Sequence, residues 1–211
     1  MSLKHLAAPL LLAAVIPTAQ AHEVWVERDG NGPARIYLGE PEAPLPEGGD
    51  PEFDHLQTPK LLPASHAPLA RKAGYIEVAA PTGDVRVHDD AVFAPWGPEG
   101  KKQAVVYYAR AGRSEARAAL PLEIAPATAG GNRFVLTRDG KPVADAAITV
   151  ISPDKWTKSI KTDAQGGVTV PQLGKGRYLL SASQKDEGEF DTPQGKVAVL
   201  HRTTTTTFVW E

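Results

Sequence analysis

The sequence predicts an all-β protein made of two β-sandwich domains of the immunoglobulin-like or prealbumin-like kind. Its 211 residues include 19 glycines and 19 prolines, a composition that favours turns and short strands over long helices. Short runs of alternating apolar and polar residues recur along the chain. In the C-terminal half, turn residues separate these runs at intervals of about eight to twelve positions, as is typical of a β-sandwich.

The first 21 residues have the pattern of a secretory signal peptide. Lys4 and His5 precede an apolar run over residues 6–16, and the segment ends in Ala19-Gln20-Ala21, a small-x-small cleavage pattern. The apolar run is too short to span a bilayer comfortably, and no later stretch is long and apolar enough to do so. We therefore expect cleavage before His22 and a periplasmic location for the mature chain.

The predicted N-terminal domain covers residues 22–125 and begins with a strand immediately after the cleavage site. Alternating residues predict strands at 22–27, 34–38, 75–78, 84–88 and 104–109. Residues 39–69 contain seven prolines, which cannot donate hydrogen bonds to a sheet, so a loop without regular strands is expected there.

The predicted C-terminal domain covers residues 126–211, after a boundary within the segment 121–132. Its strands are expected at 134–136, 147–151, 156–162, 168–170, 177–182 and 196–210. The tract Thr203–Thr207 is low in complexity, but its residues are β-branched and lie between apolar residues, so a strand is predicted. The segments DGKPVADA (139–146), TDAQG (162–166) and GRYLLSA (176–182) resemble prealbumin-like or collagen-adhesin B-type sandwich modules.

Composition limits the chemistry that the chain can perform. The sequence contains no cysteine, and Met1 is its single methionine, so thiolate zinc sites, iron–sulfur clusters and thioether Cu(I) sites are excluded. Its 23 basic and 25 acidic residues provide no broad basic surface for nucleic acid. Any metal must therefore bind through nitrogen and oxygen ligands.

His22 is the strongest candidate metal ligand, because cleavage would make it the amino terminus. The α-amine, whose ordinary pKa is about 8, and the ring Nδ1 of one histidine can close a chelate. A second imidazole would complete a three-nitrogen histidine brace. Such a site favours Cu(II) over Ni(II), although metal availability leaves nickel open. The simpler interpretation is that His22 only happens to follow the cleavage site.

The predicted second imidazole is His88. It ends a strand and is followed by Asp89 and Asp90, whose carboxylates would orient the ring or bind the metal directly. Three other histidines are alternatives: His55 and His66 in the proline-rich segment, and His201 in the C-terminal domain.

Most of the mature chain resembles the bacterial domain-of-unknown-function 4198 family. The segments that carry the resemblance are AHEVWVE (21–27), DDAVFAPWG (89–97), VYYARAGR (106–113), LEIAP (122–126) and VISPDKW (150–156). The resemblance implies a periplasmic protein associated with nickel uptake and encoded beside metal transporters. Some members carry Gly-His after the second strand, whereas this chain has Gly39-Glu40.

The sequence therefore predicts a periplasmic copper- or nickel-binding protein that serves metal uptake, delivery or buffering. Its expected partners are the metal ion and an envelope metal transporter or an apo-metalloenzyme. Two other classes remain open: a copper-dependent polysaccharide monooxygenase, which also begins with a bracing histidine, and a metal-free interaction or adhesion module. Whether the chain is an enzyme is left open at this point.

Overall fold

The computed structural model describes residues 22–211 and confirms the all-β fold. The predicted signal peptide, residues 1–21, lies outside the described residues. The strands are β1 (Glu23–Arg28), β2 (Ala34–Gly39), β3 (Lys60–Leu62), β4 (Ala70–Lys72), β5 (Tyr75–Val78), β6 (Val85–Asp89), β7 (Gln103–Ala111), β8 (Leu122–Pro126), β9 (Arg133–Arg138), β10 (Lys141–Pro142), β11 (Ala147–Ile151), β12 (Thr157–Lys161), β13 (Gly167–Thr169), β14 (Gly176–Thr192) and β15 (Gly195–Trp210). A short 3₁₀ helix spans Pro51–His55. No helix in this part of the chain has the length and apolar character needed to cross a membrane.

The strands form three sheets. The N-terminal sheet has the order β1-β2-β5-β4, and the C-terminal sheet consists of β8, β9, β10 and β13 around the shared strand β9. The third, which we call the central sheet, has seven strands in the order β12-β11-β14-β15-β7-β6-β3. The central sheet takes strands from both halves of the chain.

The two smaller sheets pack on opposite faces of the central sheet. Along β7, Tyr107 belongs to the apolar core shared with β1, β2 and β5, whereas the next residue, Tyr108, belongs to the core shared with β8 and β9. This follows from the alternation of side chains along a strand. Each half of the predicted two-sandwich arrangement therefore uses one face of the same sheet.

Hydrogen bonding crosses the predicted boundary between the two halves. Residues 103–111 of β7 pair in parallel with residues 199–207 of β15, and the position between residues 125 and 126 falls inside β8. The two predicted domains, residues 22–125 and 126–211, are thus joined by one hydrogen-bonded sheet. Their division into independently folding units stays a prediction.

The threonine tract forms the middle of β15, as predicted, and all five of its residues are buried. β15 is covered on both faces, so its alternate hydroxyls meet different sheets. Thr205 and Thr207 donate to the carbonyl oxygens of Val24 and Val26 in β1, at 2.8 and 2.5 Å. Thr206 donates to the carbonyl oxygen of Ile124 in β8 at 2.7 Å. These bonds satisfy buried polar groups where the three layers meet.

The β14–β15 hairpin extends beyond the rest of the central sheet. β11 pairs with β14 only at residues 179–181, and β7 pairs with β15 only as far as Val199. We call residues 187–199, which continue past these partners, the hairpin arm. A register shift between Glu187 and Phe190 lies at its base, and such a bulge bends a strand and increases its twist.

Candidate functional site

His22 lies directly before β1, with its ring half-buried. Its Nε2 is 3.1 Å from Oδ1 of Asp50, and its ring packs edge-on against Phe93 with centroids 6.4 Å apart. The carboxylate can only accept, so Nε2–H donates to it, and in the neutral imidazole the acceptor nitrogen is Nδ1. Nδ1 is the ring nitrogen that can close a chelate with the α-amine of the same residue.

Asp50 joins His22 to the 3₁₀ helix. The Oδ1 atom that faces His22 also accepts a hydrogen bond from the backbone N–H of Glu52 at 2.8 Å, which caps the helix at its N-terminus. Pro51 occupies the first helical position, where its missing N–H costs nothing. One carboxylate therefore orients the histidine ring and fixes the start of the helix.

Arg71 fixes the other end of the helix. Its guanidinium donates to the carbonyl oxygens of Leu56 and Phe53, at 2.8 and 2.9 Å, and lies 4.1 Å from the centroid of the Phe53 ring. The Phe53 side chain is itself buried in the core beneath the N-terminal sheet. The helix is thus anchored to β4 and to the core, although the sequence predicted only a poorly organised loop.

His55 is the last residue of this helix and contacts the same phenyl ring as His22. The rings of His55 and Phe93 have centroids 5.2 Å apart. Its Nε2 lies 3.0 Å from Oε2 of Glu52, one turn earlier. His22 and His55 therefore both contact Phe93, and each has a carboxylate beside its Nε2.

His88 lies on the opposite face of the central sheet from His22. Along β6, Val87 is in the core beneath the N-terminal sheet, so the alternation of the strand directs His88 to the opposite face of the central sheet. Arg86, on the same face as His88, bonds to Glu123 in the C-terminal sheet. The structure does not bring the predicted pair of His22 and His88 together, because a layer of sheet separates their side chains.

The two aspartates that follow His88 lie in different environments. Asp89 is 2% exposed, accepts a hydrogen bond from the backbone N–H of Ala91 at 2.9 Å, and has its pKa raised, chiefly by burial. Asp90 pairs with Lys60 on β3, with Nζ and Oδ1 3.0 Å apart. Neither carboxylate makes a hydrogen bond to His88 in the described chain.

The other two candidate histidines lie apart from His22. His66 is exposed in the segment between β3 and β4. His201 stacks on Trp96 with ring centroids 5.7 Å apart, and its Nε2 lies 2.8 Å from Oε1 of Gln103. Burial, and the nearby Lys185 to a smaller extent, lowers the pKa of His201.

Within residues 22–211, no three His, Cys, Asp or Glu side chains form a group that could hold a metal ion. A histidine brace requires fewer side chains than such a group, because two of its three nitrogens come from one residue. The ligands at issue are the backbone nitrogen and Nδ1 of His22 and one nitrogen of a second imidazole.

Two glycines determine where Asp50 can lie. Gly49 and Gly74 both have positive φ, +96° and +82°, and a Cβ on Gly49 would lie 2.2 Å from the Cα of Gly74. Only glycine allows the two backbones to approach so closely. The contact holds the segment that carries Asp50 against the β4–β5 turn.

We expect Gly49→Ala to lower the free energy of unfolding by about 1–3 kcal/mol more than Gly48→Ala does. Both glycines have positive φ, but a Cβ on Gly48 would meet no atom within 4 Å, so this neighbour controls for backbone strain alone. Urea denaturation of both variants measures the difference. Equal losses of stability would contradict the close backbone contact.

The sequence contains a signal for Asp50 that the prediction of a loop did not use. Asp50, Pro51 and Glu52 follow the common pattern of a helix start, with a capping side chain, proline at the first position and an acidic residue in the first turn. That pattern would have placed His55 on an ordered element. The contact between His22 and Asp50 spans 28 residues, and no local pattern indicates it.

Comparisons with known proteins add little to this geometry. No protein-family model matches the chain, and no curated protein matches it. One similar solved structure is SGBP-B of the mixed-linkage glucan utilization locus of Bacteroides ovatus, in complex with a mixed-linkage heptasaccharide. It is 15% identical, with a TM-score of 0.18, and the match covers 86% of this chain and 43% of that one. At this TM-score the likeness carries no argument about fold or function.

Proposed function

We propose that the chain is a periplasmic protein that binds Cu(II) or Ni(II) through a histidine brace at an amino terminus created by cleavage before His22. The α-amine and Nδ1 of His22 supply two nitrogens, and His55 supplies the third. The bound metal is cargo, which the protein takes up, buffers or delivers to an envelope metal transporter or an apo-metalloenzyme.

The observation that carries this proposal is the hydrogen bond from His22 Nε2 to Asp50. A carboxylate that accepts from the outer nitrogen of a ligating imidazole fixes its tautomer and orientation and makes the other nitrogen a better ligand. The same arrangement recurs at His55, where Nε2 faces Glu52. The two imidazoles are thus oriented by carboxylates and lie against one phenyl ring, that of Phe93.

Ligand chemistry supports Cu(II) and Ni(II) over other cargo. Three nitrogen donors bind these two ions more tightly than the earlier divalent metals of the first transition row. No cysteine thiolate is present, and Met1 lies before the proposed cleavage site. A Cu(I) site built on sulfur is therefore excluded from the mature chain.

The test compares two proteins, one that begins at His22 and one extended by a single alanine. We expect the extension to weaken Cu(II) binding by at least about tenfold, because a peptide bond replaces the free amine in the chelate. Isothermal titration with Cu(II) and Ni(II), together with electron paramagnetic resonance of the copper form, measures affinity and ligand set. Equal affinities and spectra for the two proteins would overturn the proposal.

Substitutions at Asp50, His55 and His88, with His201→Gln as the control, test the rest of the site. Asp50→Asn keeps a good capping side chain but removes the charge beside His22, so we expect Cu(II) affinity to fall by about 10–100-fold. His55→Gln is expected to remove one nitrogen from the copper spectrum, and His201→Gln serves as the control. If His88→Gln weakens binding and His55→Gln does not, the proposed third ligand is wrong and the pairing with His88 is restored.

A second function is favoured by one observation, the position of Phe93. A copper-dependent polysaccharide monooxygenase needs an aromatic side chain beside its brace, and Phe93 contacts both His22 and His55 and packs edge-on against Tyr107. Incubation of the copper-loaded protein with polysaccharides, a reductant and oxygen tests this function. Oxidised oligosaccharides that disappear with the alanine-extended protein would establish it, and their absence would leave metal binding alone.

A further inference from the structure

A cavity of about 490 Å³ lies on the face of the central sheet to which His88 points. Its floor comes from β6, β7 and β15, and the segment before β8 forms one wall. The tip of the hairpin arm covers it from above. Its volume falls within the range of about 300–1,000 Å³ that is usual for small-molecule sites. The candidate metal site, on the other face of the sheet, does not use it.

The hairpin arm is held in place over the cavity. The bulge at Glu187 and Phe190 bends the arm, and Nε2 of Gln194 at its tip donates to the carbonyl oxygen of Ala91 at 3.3 Å. The ring of Phe190 packs against Ala104, Val197 and Leu200 and forms part of the cavity wall. The hairpin arm therefore forms one side of a cavity that stays partly open to solvent.

The walls of the cavity are largely apolar. The aliphatic side chains that line it, together with Phe190, are Leu62, Val106, Leu120 and Leu200. Such walls suit the body of a hydrocarbon or aromatic molecule, because burying its surface removes apolar area from water. They do not select a ligand by themselves.

Three side chains with hydrogen-bond donors, those of His88, Tyr108 and Arg202, line the cavity. Arg202 donates from Nη1 to the hydroxyl oxygen of Tyr108 at 2.9 Å and from Nε to Asp186 at 2.9 Å, which uses two of its five N–H groups. Burial raises the pKa of Tyr108 despite the nearby arginine, so the phenol keeps its proton. The ring of His88 also lines the cavity.

The acidic side chains around the cavity are already paired with cations. Asp90 bonds to Lys60 at 3.0 Å, and Asp191 lies 3.4 Å from Nζ of Lys196. Asp186 is shared between Arg202 and Arg138. The groups left to meet a ligand are the guanidinium of Arg202, the hydroxyl of Tyr108 and the imidazole of His88. These groups call for an acceptor on the ligand.

We propose that this cavity binds a small monocarboxylate with an apolar body. The carboxylate accepts hydrogen bonds from Arg202, Tyr108 and His88, and the apolar body lies between Leu120 and Phe190. This site is independent of the metal site, because the two lie on opposite faces of the central sheet.

The test uses 3-phenylpropanoate as the probe and 3-phenylpropanol as its uncharged match. Isothermal titration of the protein is expected to give saturable binding of the acid and binding of the alcohol at least about tenfold weaker. Nuclear magnetic resonance shifts induced by the acid are expected at Tyr108 and Leu120. Absence of binding at millimolar concentration, or equal binding of acid and alcohol, would overturn the proposal.

Two variants separate a ligand site from a structural cavity. Tyr108→Phe is expected to weaken acid binding by about tenfold with little change for the alcohol, because it deletes one donor. Leu62→Trp fills the cavity and is expected to abolish binding of both molecules. His201→Gln, outside the cavity, is the control, and circular dichroism confirms that each variant is folded. Unchanged binding in both cavity variants would show that the probe binds elsewhere.

Discussion

Glu123→Ala is expected to lower the free energy of unfolding by about 3–5 kcal/mol, because it leaves buried positive charges without their partner. Glu123 lies in β8 and is fully buried. Its Oε1 accepts from Arg86 Nε at 2.8 Å and from Arg110 Nη1 at 2.7 Å. Its Oε2 accepts from the backbone N–H groups of Ala119 and Leu120, at 2.5 and 2.8 Å.

The surrounding charges cannot compensate for the loss. Arg110 is also fully buried, and its only other carboxylate partner among residues 22–211 is Asp84. Hydrogen bonds from Ser114 and Arg110 outweigh burial and hold the pKa of Asp84 below its usual range, so Asp84 is already ionised and engaged. Removing Glu123 would leave two guanidinium groups facing one buried carboxylate and the more exposed Glu115. Water cannot replace the missing charge without opening the interface between β8 and the central sheet.

Urea denaturation followed by circular dichroism measures the loss. Glu123→Gln, which keeps the shape but not the charge, is expected to fall between the wild type and the alanine variant. Lys161→Ala is the control, because Lys161 and Asp145 form an ion pair that is 70% and 81% exposed, and exposed pairs contribute little. A loss in Glu123→Ala no larger than that in Lys161→Ala would contradict the role of this cluster.

The same residue shows why part of the fold was not predicted from the sequence. The alternation of apolar and polar residues correctly located β1, β5 and β6. β8 is buried at all five positions, including Glu123, so its burial does not alternate. The sequence predicts a domain boundary within residues 121–132, where prolines flank this strand. A strand covered on both faces is visible only when the sheets are assembled.

The proline-rich segment contains a strand that the sequence does not predict, for a related reason. Prolines at positions 59 and 63 argue against a strand, yet β3 lies between them, at the edge of the central sheet. An edge strand needs hydrogen bonds on one side only, so flanking prolines are tolerated. The sequence also does not predict the far half of β14, because residues 184–192 are mostly polar and pair with β15 alone.

The sequence likewise predicts only part of the candidate site. His22 is predicted as a ligand from its place after the cleavage pattern, and the structure places its ring against Phe93 at the edge of the core that contains Val24. Its neighbours Asp50, His55 and Phe93 come from three separate parts of the chain. Their approach depends on the glycine contact behind Asp50 and on Arg71, which are tertiary features. The pairing of His22 with His88 stays a prediction, and the alternation along β6 directs His88 to the opposite face of the central sheet from His22.

Glu23 is expected to make the protein less stable as the pH rises from about 5 to about 8, by about 3 kcal/mol. Its Oε1 accepts a hydrogen bond from the Ser181 hydroxyl at 2.5 Å, and its Oε2 is buried without a partner among residues 22–211. Burial raises the pKa of Glu23 from 4.5 to about 7, with a further contribution from Glu42 and an opposing one from Ser181.

The fall in stability with rising pH follows from the proton that Glu23 binds in the folded protein. Between pH 4.5 and about 7 the folded protein holds a proton on Glu23 that the unfolded chain has released. Stability falls with pH wherever the native state binds more protons, so the loss begins near the unfolded pKa and is complete above the folded one. Below both values Glu23 is neutral in each state and adds no pH dependence.

Glu23→Gln isolates this contribution, because the amide keeps the hydrogen bond to Ser181 and cannot ionise. Urea denaturation of both proteins at about pH 5 and about pH 8 should show the wild type losing about 3 kcal/mol more than the variant does. Glu42→Gln, which removes the nearby negative charge, is expected to reduce that difference without abolishing it. Parallel pH profiles for the wild type and Glu23→Gln would mean that the carboxylate is ionised in the folded protein at pH 5. Water or a cation would then have to reach Oε2, which lies between β1 and β14.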